Sequence, residues 1–247
     1  MKKILKEYKD DSYEIFGEDE RYIVKDIQRR KYYQLSSSEI KKYKFNFKNK
    51  KERISSTNVY FFFIILFSLE ILNIYISLRT TIGKIDELYF IYSLCVYLPI
   101  FIIFHELGHI SFFHLFGRKV DKIGFKFNYI FPSFYVRMND SYLLSKKERL
   151  IVHSGGIMFS LLVNTFIFLI GIISNNTLLI YLSKYMSVDI IFNSLPMMNS
   201  DGYKVILSLR GVEEKKTFVE NNRLIKSIKA INILFVIVYT IWFIWSL

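Results

Sequence analysis

Two histidines four residues apart, with a glutamate directly after the first, stand at the end of an apolar stretch as His105-Glu106-Leu107-Gly108-His109. On a helix, positions i and i+4 share a face, so both imidazoles can reach a single ion. Glu106 is placed to take a proton from a water on that ion. A chance five-residue match is the competing reading. It is weakened by the surroundings, because two histidines and a glutamate beside a hydrocarbon span are costly and need a compensating role. Lowering the pKa of water toward about 7 is such a role, and a catalytic Zn2+ performs it.

A catalytic zinc usually takes three protein ligands and keeps one position open. His114 lies five residues after His109, about 140° round the helix, and His153 precedes a later apolar run; both read as interfacial histidines. Asp201 is better placed, in Asn193-Ser194-Leu195-Pro196-Met197-Met198-Asn199-Ser200-Asp201-Gly202. Pro196 should break the preceding helix and Gly202 allows tight local backbone, so a carboxylate can be set at a membrane edge on irregular chain.

The elements that must position these residues are membrane spans. A bilayer-crossing helix needs roughly 20 apolar residues. Val59 to Leu78 supplies them with Glu70 inside, Tyr89 to Phe116 is longer and ends in the histidine cluster, and Gly155 to Ile173 is a third. Leu178 to about Met197 is a fourth and Ile228 to Trp245 a fifth, with Trp242 and Trp245 where an aromatic belt would lie. Lys41 to Arg53 carries seven basic residues against Glu52 alone, and the next loop is balanced. Gly117 to Ser154 carries eight basic and three acidic residues, Ser174 to Thr177 is uncharged, and Asp201 to Lys229 has seven basic and four acidic. Basic excess on every second loop predicts a multi-pass protein of the cell membrane with the N-terminus in the cytoplasm and the C-terminus outside.

Composition agrees. Hydrophobic residues make up 52% of 247 residues while charged ones still reach 23%, which requires the two kinds to be segregated along the chain. Collagen-like and disordered classes are excluded by ten Gly, three Pro and abundant Ile, Leu and Phe. The single Cys95 excludes an intramolecular disulfide and thiolate-rich zinc sites. The net charge of +12 belongs to basic loops at a membrane surface and not to a nucleic-acid stripe, so no nucleic-acid partner is expected. The first fifty-odd residues are polar and no cleavable signal peptide is expected. The fold expected is an all-α polytopic membrane protein of about five spans, with a short membrane-associated β segment and a small cytoplasmic α+β module. Residues 1–50 form that module and 58–247 the membrane domain. In the module, Tyr22 to Asp26 and Lys31 to Leu35 alternate as a hairpin, and Ser36 to Glu39 fits a helix start.

Together, HExxH in one span and Asn-x-x-Pro-x-x-x-x-Asp-Gly about ninety residues later resemble the site-2 protease family of intramembrane zinc metalloproteases. The resemblance covers about Tyr89 to Gly202. It implies His105, His109 and Asp201 as zinc ligands, Glu106 as general base, Asn193 as a substrate-binding residue, and Pro196 and Gly202 as the remaining motif positions. Gly156 and Ser160 resemble the family's Gly-x-x-x-(Asn/Ser/Gly) motif in the intervening helix, a pattern that close helix packing also explains. Lys122 to Met138 alternates aromatic and β-branched residues. The family commonly has a strand or hairpin beside its active site, which could pair with unwound substrate backbone by strand addition. No loop has room for a PDZ domain or a CBS pair. The compact form and the N-terminal pattern resemble peptide zinc metalloproteases of bacterial peptide-modification operons.

Depth selects the acid. At about 1.5 Å per residue, His105 and His109 lie roughly 24 and 30 Å below Tyr89. Asp189 reaches only about 16 Å below Leu178, whereas Asp201 reaches at most about 34 Å and less once Pro196 breaks the helix. The function expected is an intramembrane zinc endopeptidase that cleaves a peptide precursor or small membrane protein near the cytoplasmic face and matures a ribosomally made modified peptide. Its partners would be that peptide or transmembrane substrate and the lipid bilayer. Release of a membrane-tethered transcription or sigma factor would use the same chemistry. A catalytically silent membrane binding or immunity protein is the non-enzyme alternative, and it would have no need for Glu106.

Overall fold

The computed structural model describes residues 5–79, 86–128, 131–197, 199–215 and 217–246. The chain divides into two compact units. One takes the residues up to Tyr60 together with Phe113–Arg149, and the other takes Phe61–Phe112 and the chain from Leu150 onward.

The first unit is built on a five-stranded antiparallel sheet. Its strands are β1 (Leu5–Lys9), β2 (Tyr13–Glu18), β3 (Arg21–Asp26), β4 (Lys31–Ser36) and β5 (Lys48–Lys50), in the order β4-β3-β2-β1-β5. The hairpin legible in the sequence is β3–β4, with Tyr22 opposite Leu35 and Val24 opposite Tyr33. Alternation along the strands sends Leu5, Phe16 and Ile23 to one face, where they pack with Leu143. Ile15, Tyr22 and Val24 go to the other face, where they meet Ile40, with Phe45 and Phe47 against them. Both faces are therefore covered, and this is why β2 reads as a continuous buried run and not as an alternating strand. The α+β character expected of the N-terminal module thus takes the form of an entire sheet ahead of the helices. Helix α1 (Ser37–Ile40) starts in a capping box, with the Ser36 hydroxyl accepting from the Glu39 N–H and the Glu39 carboxylate accepting from the Ser36 N–H. Farther on, β6 (Lys122–Asn128) and β7 (Phe131–Arg137) form the hairpin expected between Lys122 and Met138. Asp140 accepts hydrogen bonds from Lys25 Nζ and Tyr32 Oη, each at 2.6 Å, and Arg118 pairs with Glu14 at 2.6 Å.

The second unit is helical. Among the described residues, α2 (Ser56–Arg79), α3 (Glu87–Leu115) and α4 (Lys146–Ile173) are long and apolar enough to cross a membrane. In α4, 44% of the apolar window is buried, against 11% in α2 and in α3, so α4 is the central helix of the three. Ile157 and Leu161 on α4 pack with Leu66 on α2, Tyr97 and Phe101 on α3, and Leu182 and Met186 on α5 (Thr177–Ser194). Much of the outward surface is apolar, for example Ile64, Phe67, Ile91 and Val96, as lipid-facing positions require. Helix α4 begins near Lys146, well before the Gly155 expected from hydropathy. A second capping box explains the difference, with the Ser145 N–H donating to Glu148 and the Glu148 N–H donating to the Ser145 hydroxyl. Helices α5 and α7 (Arg223–Ser246) occupy the places expected for the fourth and fifth spans, and α6 (Asp201–Arg210) lies between them. Helix α6 ends at Gly211, whose left-handed φ of 66° lets its N–H reach the Leu207 and Ser208 carbonyls.

Candidate metal centre

Helix α3 presents His105 and His109 on one face, one turn apart. Helix α4 crosses it at closest range where both lack side chains: a Cβ on Gly108 would lie 2.3 Å from the Gly155 carbonyl oxygen. The backbones touch there, as small residues permit in membrane helix pairs. One residue on, Gly156 lies under the imidazoles. A Cβ at that position would sit 2.4 Å from His109 Nε2 and 2.7 Å from His105 Nε2. Glycine keeps that space open.

The third side chain arrives from an interrupted helix. Helix α5 ends at Ser194, two residues before Pro196, which cannot donate to a continuing ladder. Asn199 turns the chain with a left-handed φ of 68°. Ser200 then caps α6 by accepting from the Tyr203 N–H at 3.1 Å. Asp201 is the first residue of α6. Gly202 is required by contact: a Cβ there would lie 2.0 Å from the Ser194 carbonyl oxygen. The Asp-Gly pair thus folds the start of α6 tightly onto the end of α5. Met198, the remaining letter of this stretch, lies outside the described residues.

His105 Nε2 and His109 Nε2 stand 2.9 and 3.0 Å from Asp201 Oδ2, and 3.3 Å from each other. Among the described residues, His105, His109 and Asp201 form the group that could hold a metal ion. The surrounding hydrogen bonds set the tautomers. His109 Nδ1 lies 2.7 Å from the Val152 carbonyl, which can only accept, so Nδ1 carries a proton and, in the neutral ring, Nε2 offers its lone pair. His105 Nδ1 meets the Ser160 hydroxyl at 3.0 Å, which can accept from the same tautomer. Asp201 is 2% exposed, and its charge is held by Lys204 Nζ on Oδ1 at 3.0 Å and by Asn193 Nδ2 on Oδ2 at 3.2 Å. Asn193 Oδ1 also accepts from the Asp201 N–H at 3.1 Å, so Asn193 grips the aspartate from both sides.

Three donors facing one another at this range suit a cation between them. In a tetrahedral zinc site with bonds of about 2.0–2.1 Å, ligand atoms are separated by about 3.3 Å, and the observed 2.9 to 3.3 Å is close to that. Nitrogen and carboxylate donors with imidazoles oriented from behind are the donor set zinc takes in catalytic sites. Glu106 is half-buried beside His105 and, among the described residues, has no hydrogen-bond or ion-pair partner, which leaves its carboxylate available.

Among curated proteins, the chain is 34% identical over 238 residues to "Putative peptide zinc metalloprotease protein YydH" of Bacillus subtilis (strain 168), covering 94% of this chain and 93% of that protein. The chain belongs to this family of peptide zinc metalloproteases. No family model matches it. No solved structure matches it. The His105–His109–Asp201 cluster could hold a metal, and family and site together support a metalloprotease that uses zinc. His114, His153 and Asp189 stand outside the cluster. Sequence reasoning missed three contributors: the Val152 carbonyl, Lys204 and the Gly108–Gly155 crossing. The carbonyl carries no sequence signal. Lys204, one turn after Asp201, and the paired glycines do carry a signal in their spacing.

Proposed function

We propose that this protein is an intramembrane zinc metalloendopeptidase that cleaves a peptide precursor or small membrane protein near the cytoplasmic face, maturing a ribosomally made modified peptide. The observation that carries this reading is the convergence of His105, His109 and Asp201 beside Glu106, which has no partner among the described residues, at the end of a helix apolar enough to cross a membrane. The relative's name, a peptide zinc metalloprotease, supports the substrate class.

His105, His109 and Asp201 would hold the zinc, which supplies a Lewis acid that acidifies water and polarises a peptide carbonyl. Val152 and Ser160 keep the imidazole Nε2 atoms aimed inward, and Asn193 and Lys204 fix the Asp201 carboxylate. Glu106 takes a proton from the attacking water as its oxygen bonds to the scissile carbonyl carbon. It returns that proton to the amide nitrogen as the carbon–nitrogen bond breaks, so water is added across the peptide bond and Glu106 is regenerated. In this reading α5 and α7 complete five spans, Asn193 also contacts substrate, residues 1–50 recruit it, and the β6–β7 hairpin offers unwound substrate a strand partner.

The test is the intact mass of a co-expressed precursor with the native protein and with Glu106→Gln. The substitution keeps size and hydrogen-bonding capacity but removes the base. General-base assistance is worth about 10²–10⁴-fold, so cleavage should fall by at least the lower figure while zinc stays bound. Cleavage at the parent rate by purified Glu106→Gln protein would exclude the assignment.

A further inference from the structure

A cavity of about 410 Å³ opens on the N-terminal sheet, and the mechanism above does not use it. Its cations are Lys9, Lys48, Lys50 and Arg118, and its acids are Glu7 and Glu14. Strand register puts them together: Glu7 is opposite Lys48 across β1–β5, and Lys9 is opposite Glu14 across β1–β2. Residues two apart on a strand share a face, so Lys48 and Lys50 reach the cavity side by side. Both acids are already occupied. Lys50 Nζ is 3.1 Å from Glu7, and Arg118 is 2.6 Å from Glu14. Lys50 also lies over the Phe16 ring at 5.3 Å. Lys9 and Lys48 are exposed and, among the described residues, have no acidic partner. The cavity therefore keeps an excess positive charge on the two lysines best able to turn toward a ligand.

The same cavity adjoins a sheet edge. Strand β5 pairs with β1 on one side, and among the described residues no strand covers its other side. An edge of this kind offers backbone N–H and C=O groups to an added strand. A strand laid beside β5 would present every second residue on the face of Lys48 and Lys50, where carboxylates meet an excess of cations. A lipid headgroup would satisfy the charge but has no main chain to pair with the edge, so a peptide is the better fit.

We propose that this cavity and the open edge of β5 form a docking site for an extended acidic peptide segment, with Asp or Glu at alternate positions facing Lys48 and Lys9. The proposal rests on reading this chain as a peptide-processing protease, and it places recruitment of the precursor at a segment distinct from the scissile bond.

The test uses full-length Glu106→Gln protein in detergent, so that binding is read without turnover. The probes are a short fluorescein-labelled peptide alternating Glu with Thr, its Lys-for-Glu counterpart, and phosphatidylglycerol vesicles. Anisotropy should rise with the Glu peptide and not with the Lys peptide, and fall as salt screens the exposed cations. A Lys9→Glu, Lys48→Glu double variant should weaken binding at least tenfold, and Lys48→Gln alone should weaken it less. N-methylation of alternate peptide bonds should weaken binding in one register and spare it in the other, as strand addition demands. Equal binding of the two peptides, indifference to the double charge reversal, or binding of vesicles alone would overturn the proposal. Cleavage distinguishes the two readings. The double variant with a native Glu106 should keep its rate on a short peptide that contains only the scissile bond. Peptide binding that behaves as expected in a protein that cleaves nothing would support the docking site and overturn the protease reading. Cleavage that persists without acidic-peptide binding would do the reverse.

Discussion

At the scale of single residues, the centre depends on what is absent as much as on what is present. Gly156 leaves the space in which the two Nε2 atoms and Asp201 Oδ2 face one another, and a methyl there would stand 2.4 Å from His109 Nε2. We expect Gly156→Ala to displace an imidazole and lower bound zinc, although the substitution adds only one carbon and favours the helix in propensity. Asp201→Ala should lower zinc further and abolish cleavage, because it removes a ligand and leaves Lys204 facing two histidines. Asp189→Asn should keep zinc near parent stoichiometry, since Asp189 lies outside the ligand group. Metal analysis of the three purified variants checks this. A zinc-free Asp189→Asn beside a zinc-replete Asp201→Ala would reverse the ligand assignment. The residues of the candidate site were legible because HExxH and Asp-Gly spell them out. The Val152 carbonyl that fixes His109 was not, since every residue has a carbonyl and only the fold selects one.

At the scale of elements, the helices of the second unit are joined by polar groups buried in an apolar bundle. Asn164 on α4 is 0% exposed and donates to Asn73 Oδ1 on α2 at 2.8 Å and to Ser187 Oγ on α5 at 2.9 Å. Asn73 donates in turn to Thr165 Oγ1 at 2.9 Å and to its own helix at Leu69. Asn164 follows Ser160 by one turn on α4, so this network fixes the helix that orients His105. Interhelical hydrogen bonds in membranes contribute about 0.6–1.7 kcal/mol each, and Asn164→Leu would cut these two and the longer one that Asn164 Oδ1 accepts from Tyr97 Oη, while stranding Asn73 Oδ1. A loss of about 1–3 kcal/mol in unfolding free energy in detergent is expected, with a smaller loss for Ser187→Ala. In the first unit, burial alone would raise the Asp140 carboxyl. Hydrogen bonds from Lys25 and Tyr32 and the nearby charges of Lys25 and Arg118 hold it below its ordinary value. A depressed carboxylate contributes stability that is present above its unfolded pKa of about 3.9 and is lost as pH falls through the lower folded value. Acid titration followed by tyrosine fluorescence should show that loss in the native protein, and Asp140→Asn should flatten it. Elements differed in how plainly the sequence announced them. Strands β3 and β4 alternate and were legible; β1, β2 and β5 were not, because lysines break the pattern in β1 and β5 and both faces of β2 are covered. The start of α4 was hidden by its charges, although Ser145-Lys146-Lys147-Glu148 is itself a capping sequence.

At the scale of the whole molecule, the metal site constrains how the chain crosses the membrane. His109 lies near the C-terminal end of α3, and Asp201 lies just past the C-terminal end of α5, yet their side chains are 3.0 Å apart. In the proposed five-span arrangement the ends of α3 and α5 would then share one side, with α4 and α5 together crossing out and back. We propose the side from loop charge. The seven basic residues between Lys41 and Arg53 would hold the start of α2 in the cytoplasm, α3 would return inward, and the basic stretches Gly117 to Ser154 and Asp201 to Lys229 would then both fall inside. The uncharged Ser174 to Thr177 link would then lie outside, and α7 would carry the C-terminus out. Reporter fusions at Asn49 and Arg210 should therefore read cytoplasmic, and fusions at Gly83 and the C-terminus external. The Arg210 fusion is the decisive one. It sits at the end of the helix that begins with Asp201, so an external reading there with a cytoplasmic Asn49 would place the aspartate and the two histidines on opposite sides of the bilayer. The roughly 30 Å of hydrocarbon between them cannot be spanned by metal–ligand bonds of about 2 Å, and the centre, the orientation and the proposed chemistry would be excluded together.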